Sequence, residues 1–277
     1  MRSSSALFRE RLQTLPYLTT VTSFVIVLLA IGCSVVFPGL RTALALAPGS
    51  VLGGGLYRLV TYPIVHQNVM HALFNMFALL PVLSSFEEDT GTVATAGALL
   101  LFSIVPGIAY TVVAPILFTK PPTVLGSSGW VFTLMAYFAM KEFSFRHTIA
   151  LTPTVQIPTW ITPILTLLLV ALLLPGSSFL GHLLGLLTGY GYALGYLNPA
   201  KLPQGVVLRI EAALGNANLT RLVPRFVSDD YASKHRVVID TSIDANAPAE
   251  GASPLILPSV GPSRSAAFSG HGRALGS

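Results

Sequence analysis

An all-α membrane protein with six transmembrane helices is the fold this sequence predicts, and three observations predict it. Charged residues make up only 10% of the 277-residue chain, while hydrophobic ones make up 52%. A soluble globular chain carries about 25% charged residues, so much of this one avoids water. The apolar residues gather in six runs, several close to the length of about 20 residues that crosses a ~30 Å hydrocarbon core. Charges and helix breakers fall between the runs.

In chain order, residues 1–16 place Arg2, Arg9 and Arg11 ahead of the first run. A cleaved signal peptide has a shorter core and a small-residue cleavage site, so residues 17–37 are kept as the first span. The second and third spans, residues 69–85 and 92–112, are separated by Glu87, Glu88 and Asp89. Lys120 follows the third span, and a charged stretch from Lys141 to Arg146 ends the fourth, residues 128–140. The fifth and sixth, residues 159–174 and 178–197, are divided by the breaker pair Pro175-Gly176. Residues 17–198 therefore form the membrane domain. From residue 199 to 277 the chain is polar and rich in Pro, Ser and Ala, which predicts a mostly disordered tail. Within that tail, residues 206–214 have the pattern of a short amphipathic helix on the bilayer surface.

Six spans put both termini on one side. That side receives the arginines of residues 1–16, Lys141, Arg146 and the tail cations, against only Arg41, Arg58 and Lys120 opposite. Lys and Arg accumulate in the cytosol, so both termini are expected there. The net charge of +5 follows from this topology. No basic cluster interleaved with aromatics accompanies it, and nucleic-acid binding is not expected. Cys33 is the only cysteine and lies inside an apolar run, which excludes an intrachain disulfide and any Cys-based metal site. No metal or cofactor is expected.

The fourth span is short. Thirteen residues at 1.5 Å rise reach about 20 Å, less than the hydrocarbon core. With its end at the cytosolic interface, Ser128 begins below the opposite surface. Irregular backbone at that depth is tolerated only where protein buries it or water lines it, so Gly126-Ser127-Ser128-Gly129 is expected to floor a wet cavity.

Polar and ionisable residues within spans are costly and mark function. His71 with Asn75, Ser128, and His182 all fall within two turns of the non-cytosolic ends of their helices, and so on one level. An imidazole that takes a serine's proton makes the hydroxyl a nucleophile for two-step acyl transfer, and His182 is the candidate base for Ser128. Because Ser128 opens a helix, its N–H has no intrahelical partner and can meet an oxyanion. His71 and Asn75, spaced i, i+4, share a helix face and can donate to the same oxygen. No Asp or Glu falls within a span to orient the histidine. Each residue alone has a plainer role: a serine caps helices, a histidine satisfies a carbonyl, an asparagine joins helices. Gly181, Gly185 and Gly189, at four-residue spacing, read as a helix-packing face that draws the sixth span onto the fourth.

These pieces together resemble the rhomboid family of intramembrane serine proteases. The matching motifs are Gly126-Ser127-Ser128-Gly129, His71-Ala72-Leu73-Phe74-Asn75, and the helix carrying Gly181, His182, Gly185 and Gly189. They stand in order on three spans, and the resemblance covers roughly residues 57–197. It implies a six-helix rhomboid-like bundle in which a Ser128–His182 dyad, with His71 and Asn75 beside the oxyanion, cleaves a partner's transmembrane segment near the membrane surface. It selects Ser128 over Ser127, sets Phe132 against the histidine, and makes Tyr57-Arg58 a variant of the family's Trp-Arg pair. Six spans with a long cytosolic tail look most like fungal Golgi-type rhomboids, which implies a Golgi membrane, with endoplasmic reticulum the other candidate. In the tail, residues 268–276 resemble the peptide box that binds the ubiquitin-selective segregase ATPase (valosin-containing protein). Phe268 and Leu275 would fill two apolar pockets, with Gly270 and Gly272 keeping the segment extended. Two other functions are compatible with parts of the pattern. One is a non-catalytic adaptor delivering membrane proteins to that ATPase. The other is a transporter binding an anion at a half-helix, which the lack of an internal repeat disfavours.

Overall fold

The computed structural model describes residues 15–152, 154–218, 220 and 225–235. Six principal helices pack together among the described residues: α1 (Tyr17–Val35), α2 (Val69–Thr90), α3 (Thr92–Leu117), α4 (Ser128–Phe143), α5 (Thr162–Leu173) and α6 (Phe179–Ala193). Three of them, α1, α2 and α3, are long and apolar enough to cross a membrane. The other three have 16, 12 and 15 residues, and α5 is extended by a 3-10 turn, Thr159–Ile161. Much of the outer surface is apolar, as Phe24, Phe77, Ile116 and Leu172 show. A water-soluble surface of this size would not carry so many exposed large apolar side chains; a bilayer accommodates them.

The core lies between α2, α3, α4 and α6. Phe86, Phe102, Tyr137 and Tyr192 interlock in edge-to-face and tilted pairs with centroids 4.9–6.0 Å apart, and Leu79, Leu83 and Leu134 fill the layer beside them. The longest connection, between α1 and α2, is itself structured by short helices at Pro38–Leu44, Pro48–Leu52 and Arg58–Thr61. Tyr57 donates its hydroxyl to Ala43 C=O at 3.0 Å, and Arg58 bonds Thr42 and Ala45 C=O at 2.8 and 2.6 Å. Three carbonyls at the end of one short helix are thereby satisfied, so tyrosine and arginine anchor this loop. A short hairpin, Thr148–Ala150 with Gln156–Pro158, joins α4 to α5.

The charged residues after Phe86 do not end α2. The helix runs on to Thr90, and this corrects the expectation that no acid falls within a span. Glu87 is fully buried. Its carboxylate accepts from Leu18 and Thr19 N–H at 2.9 and 2.8 Å, from Thr19 Oγ1 at 2.8 Å and from Thr92 Oγ1 at 2.7 Å. A negative group at the first turn of α1 satisfies orphan N–H donors and complements the helix dipole. Sixteen residues of helix, about 24 Å, separate Glu87 from His71, so this acid cannot orient the histidine of the candidate site.

The folded part also reaches beyond residue 198. Gln204–Asn216 and Asp229–His235 are helical, the first coinciding with the amphipathic pattern. Thr92 N–H donates to Val227 C=O at 2.8 Å, Val227 N–H to Thr92 Oγ1 at 2.9 Å, and Tyr17 N–H to Arg225 C=O at 3.2 Å. Backbone bonding to the starts of α1 and α3, with Val227 and Ala232 buried, holds a segment whose composition alone reads as polar tail. Tyr17, Glu87, Thr92 and Arg225 thus share one end of the bundle. The remaining tail, with Phe268, Gly270, Gly272 and Leu275, lies outside the described residues.

Candidate active site

At the other end of the bundle, α4 and α6 both begin. Ser128 is the first residue of α4, so its N–H has no partner within the helix. The preceding loop is tied down on two sides. Val124 and Leu46 exchange backbone hydrogen bonds at 2.9 Å, and Gly126 N–H donates to Tyr62 C=O at 2.9 Å. Gly126 has φ +109°, and a Cβ there would lie 3.0 Å from His71 Cε1 and 3.2 Å from His71 Nε2. Glycine is therefore required twice, for its backbone and for the space His71 occupies.

His182 enters from α6. Ser178 caps that helix, accepting from Gly181 N–H at 3.1 Å, and His182 is buried one turn in. Its Nε2 lies 2.8 Å from Ser128 Oγ. The other ring nitrogen, Nδ1, is buried without a hydrogen-bond partner among the described residues. The ring is oriented by packing instead: Phe132, one turn along α4 from Ser128, lies against it with centroids 4.8 Å apart and planes at 32°. Of the two adjacent serines, Ser127 is fully buried while Ser128 is half-buried. A small cleft lined by Tyr110, Val124, Gly126, Gly129 and Gly181 adjoins Ser128 and His182.

The short distance depends on close helix contact. A Cβ at Gly185 would stand 2.6 Å from Gly129 O, and one at Gly189 only 2.1 Å from Thr133 O. These two glycines let α6 rest on the α4 backbone. Gly181 does not belong to that contact, since a Cβ there would meet its own cap Ser178 and the Val124 side chain. Thr133 Oγ1 reinforces the crossing, 2.8 Å from Gly185 C=O.

His71 and Asn75 lie on the first turns of α2, whose cap Asn68 accepts from His71 N–H at 2.8 Å. Asn75 Nδ2 donates to His71 C=O at 2.8 Å; an amide nitrogen carries two hydrogens, so one remains for another acceptor. His71 is half-buried beside Gly126. Ser128, His182, His71 and Asn75, carried on three separate helices, are thus brought to one end of the bundle.

A model of the rhomboid domain matches residues 53–199, which spans more than half of the chain and every one of these four residues. The chain belongs to the rhomboid family. It is 36% identical over 255 residues to a rhomboid-type serine protease 2 of Neurospora crassa, covering 88% of this chain and 90% of that protein. With a rhomboid-type serine protease 2 of Saccharomyces cerevisiae it shares 38% identity over 212 residues, 76% and 80% of the two chains. A rhomboid-type serine protease B of Aspergillus fumigatus is 35% identical over 213 residues, 76% of each. The family resemblance inferred from motifs thus extends over most of the chain, and these relatives are fungal.

One residue at this end of the rhomboid domain went unread in the sequence. His66, buried ahead of α2, reaches Ser127 N and Oγ at 3.2 and 3.3 Å and stands edge-on to His71 with centroids 5.1 Å apart. It precedes the apolar run, where a polar residue costs nothing unusual, so the pattern that exposes His71 and His182 passes over it.

Proposed function

We propose that this rhomboid hydrolyses a peptide bond in or near the transmembrane segment of a membrane protein, with Ser128 as nucleophile and His182 as general base. The 2.8 Å contact between Ser128 Oγ and His182 Nε2 carries the reading. Nε2 takes the hydroxyl proton as Oγ attacks the scissile carbonyl, and returns it to the leaving amine. The Ser128 N–H, the free amide hydrogen of Asn75 and the His71 ring stabilise the developing oxyanion; each such donor is typically worth about 10²–10³ in rate. Water, activated by the same imidazole, then releases the acyl enzyme. An adaptor that only captured membrane proteins would need no hydroxyl in hydrogen-bond contact with an imidazole.

All six helices span the bilayer in this reading, with the Tyr17–Glu87–Arg225 end in the cytosol and Ser128 below the lumenal surface of a Golgi membrane. A fluorophosphonate probe should label the solubilised protein at Ser128, and mass spectrometry of the labelled peptide locates the adduct. Absence of the adduct on folded protein counts against the nucleophile. Coupling to a segregase ATPase through Phe268 and Leu275 rests on the sequence box alone. Removing residues 268–276 is expected to abolish co-purification with the ATPase while leaving labelling of Ser128 intact; retained co-purification would dismiss the box.

A further inference from the structure

Beside the Ser128–His182 contact lies a second serine–histidine pair, which the proposed chemistry does not use. Ser127 is 0% and His66 1% exposed, so no substrate reaches that hydroxyl and it is not an alternative nucleophile. The Ser127 backbone N–H donates to His66 Nε2 at 3.2 Å. A backbone N–H can only donate, so Nε2 is the acceptor and the ring proton sits on Nδ1. Ser127 Oγ approaches the same nitrogen at 3.3 Å.

We propose that His66 is a positioning residue, which fixes the peptide plane between Gly126 and Ser127 and so aims the hydroxyl and N–H of Ser128. This inference rests on the dyad reading given above. Ser127 sits at φ −77°, ψ 2°, the sparsely populated bridge region. Gly126 before it, at φ +109°, has the backbone freedom to let this plane rotate. Gly126 N–H is held by Tyr62 C=O at 2.9 Å, so the plane preceding Gly126 is fixed and the next one depends on His66. The following peptide carries the Ser128 N–H and is held on its other side by Val131 N–H, which donates to Ser127 C=O at 3.1 Å, so a turn of the first plane strains the second. The His66 ring also backs His71, edge to face at 5.1 Å, and would lie 3.6 Å from a Cβ at Gly126. One imidazole therefore touches the loop, the cap of α4 and the candidate oxyanion donor.

The test uses the full chain in liposomes with a transmembrane peptide substrate, comparing His66→Leu, His66→Gln and Ser127→Ala. Two quantities are read from fluorophosphonate labelling: the final stoichiometry at Ser128 and the rate at which it is reached. His66→Leu should lower both the labelling rate and kcat by about 10²-fold, the typical consequence of a ~1 Å misplacement, with stoichiometry and KM close to wild type. His66→Gln, whose Oε1 can accept the same N–H, should recover at least ten-fold of that loss. Ser127→Ala keeps the backbone donor and should lose less than ten-fold. A role in stability alone would lower the stoichiometry and leave the rate per labelled site unchanged, and that result overturns the proposal. So does His66→Leu acting at the wild-type rate, or glutamine rescuing nothing. If Ser128→Ala itself still cleaves, the dyad reading is what fails.

Discussion

Ser128→Ala and His182→Ala are each expected to reduce kcat by roughly 10⁴-fold or more, and the double variant by no more than either alone, because a nucleophile and its base act as one unit. Without His182 the Ser128 hydroxyl loses the imidazole it contacts at 2.8 Å, and without the hydroxyl the imidazole has nothing to deprotonate. Residual activity then comes from binding and the oxyanion donors, which leave about 10³–10⁴ over water in serine proteases stripped of their triad. KM should stay within a few-fold, since neither side chain holds the substrate in the ground state. Single-turnover cleavage of a transmembrane peptide by the four proteins measures all of this. Losses that multiply in the double variant would show two independent contributions and break the dyad apart. Retention of more than a tenth of wild-type activity in Ser128→Ala would remove the nucleophile altogether.

In the proposed dyad the imidazole of His182 has no acid behind it among the described residues. In the triad arrangement a carboxylate accepts from Nδ1–H, fixing the tautomer and stabilising the imidazolium. Here Nδ1 of His182 has no partner among the described residues, and Phe132 holds the ring by contact. The most deeply buried carboxylate among the described residues, Glu87, is used at the opposite end to cap α1 and join it to α3. A buried charge satisfied by four hydrogen bonds is costly to leave unpaired, so its place is fixed by the start of α1.

What could be read from the sequence was the chemistry that does not belong in a bilayer. His71, Asn75, Ser128 and His182 stood out because apolar neighbours make polar side chains expensive, and the structure brings all four to one end of the bundle. Glu87 and His66 were passed over for the same reason inverted. Both sit where polar residues are ordinary, and their partners lie 68 and 61 positions away in the chain, beyond the reach of local periodicity. Composition likewise ended the fold near residue 198, since docking of residues 225–235 depends on backbone bonds to Tyr17 and Thr92, which no side-chain pattern reports. The glycine spacing on α6 was informative for Gly185 and Gly189 but not for Gly181, whose side faces its own cap.

Gly185→Ala is expected to cost activity out of proportion to stability. The added methyl group would begin 2.6 Å from Gly129 O, and backbone on both helices leaves no flexible side chain to give way. To reach ordinary van der Waals contact, near 3.4 Å, α6 must withdraw from α4 by about 1 Å, and a shift of that size typically costs 10²-fold in rate. Overpacking of this kind destabilises by about 1–3 kcal/mol, which a bundle stapled also by Glu87 and the aromatic cluster should survive. Gly189→Ala meets a harder obstacle, 2.1 Å from Thr133 O with Ala136 Cβ at 2.8 Å. It lies two turns from His182, one turn farther than Gly185, so its larger burden falls on folding. Gly191→Ala, with nothing within 4 Å, should be silent in both respects. Thermal denaturation in detergent, run beside the rate of Ser128 labelling, separates the two effects. Equal rates for the Gly185 and Gly191 variants would mean that the helix contact does not set the Ser128–His182 distance, and that the loop ahead of α4 carries the whole alignment.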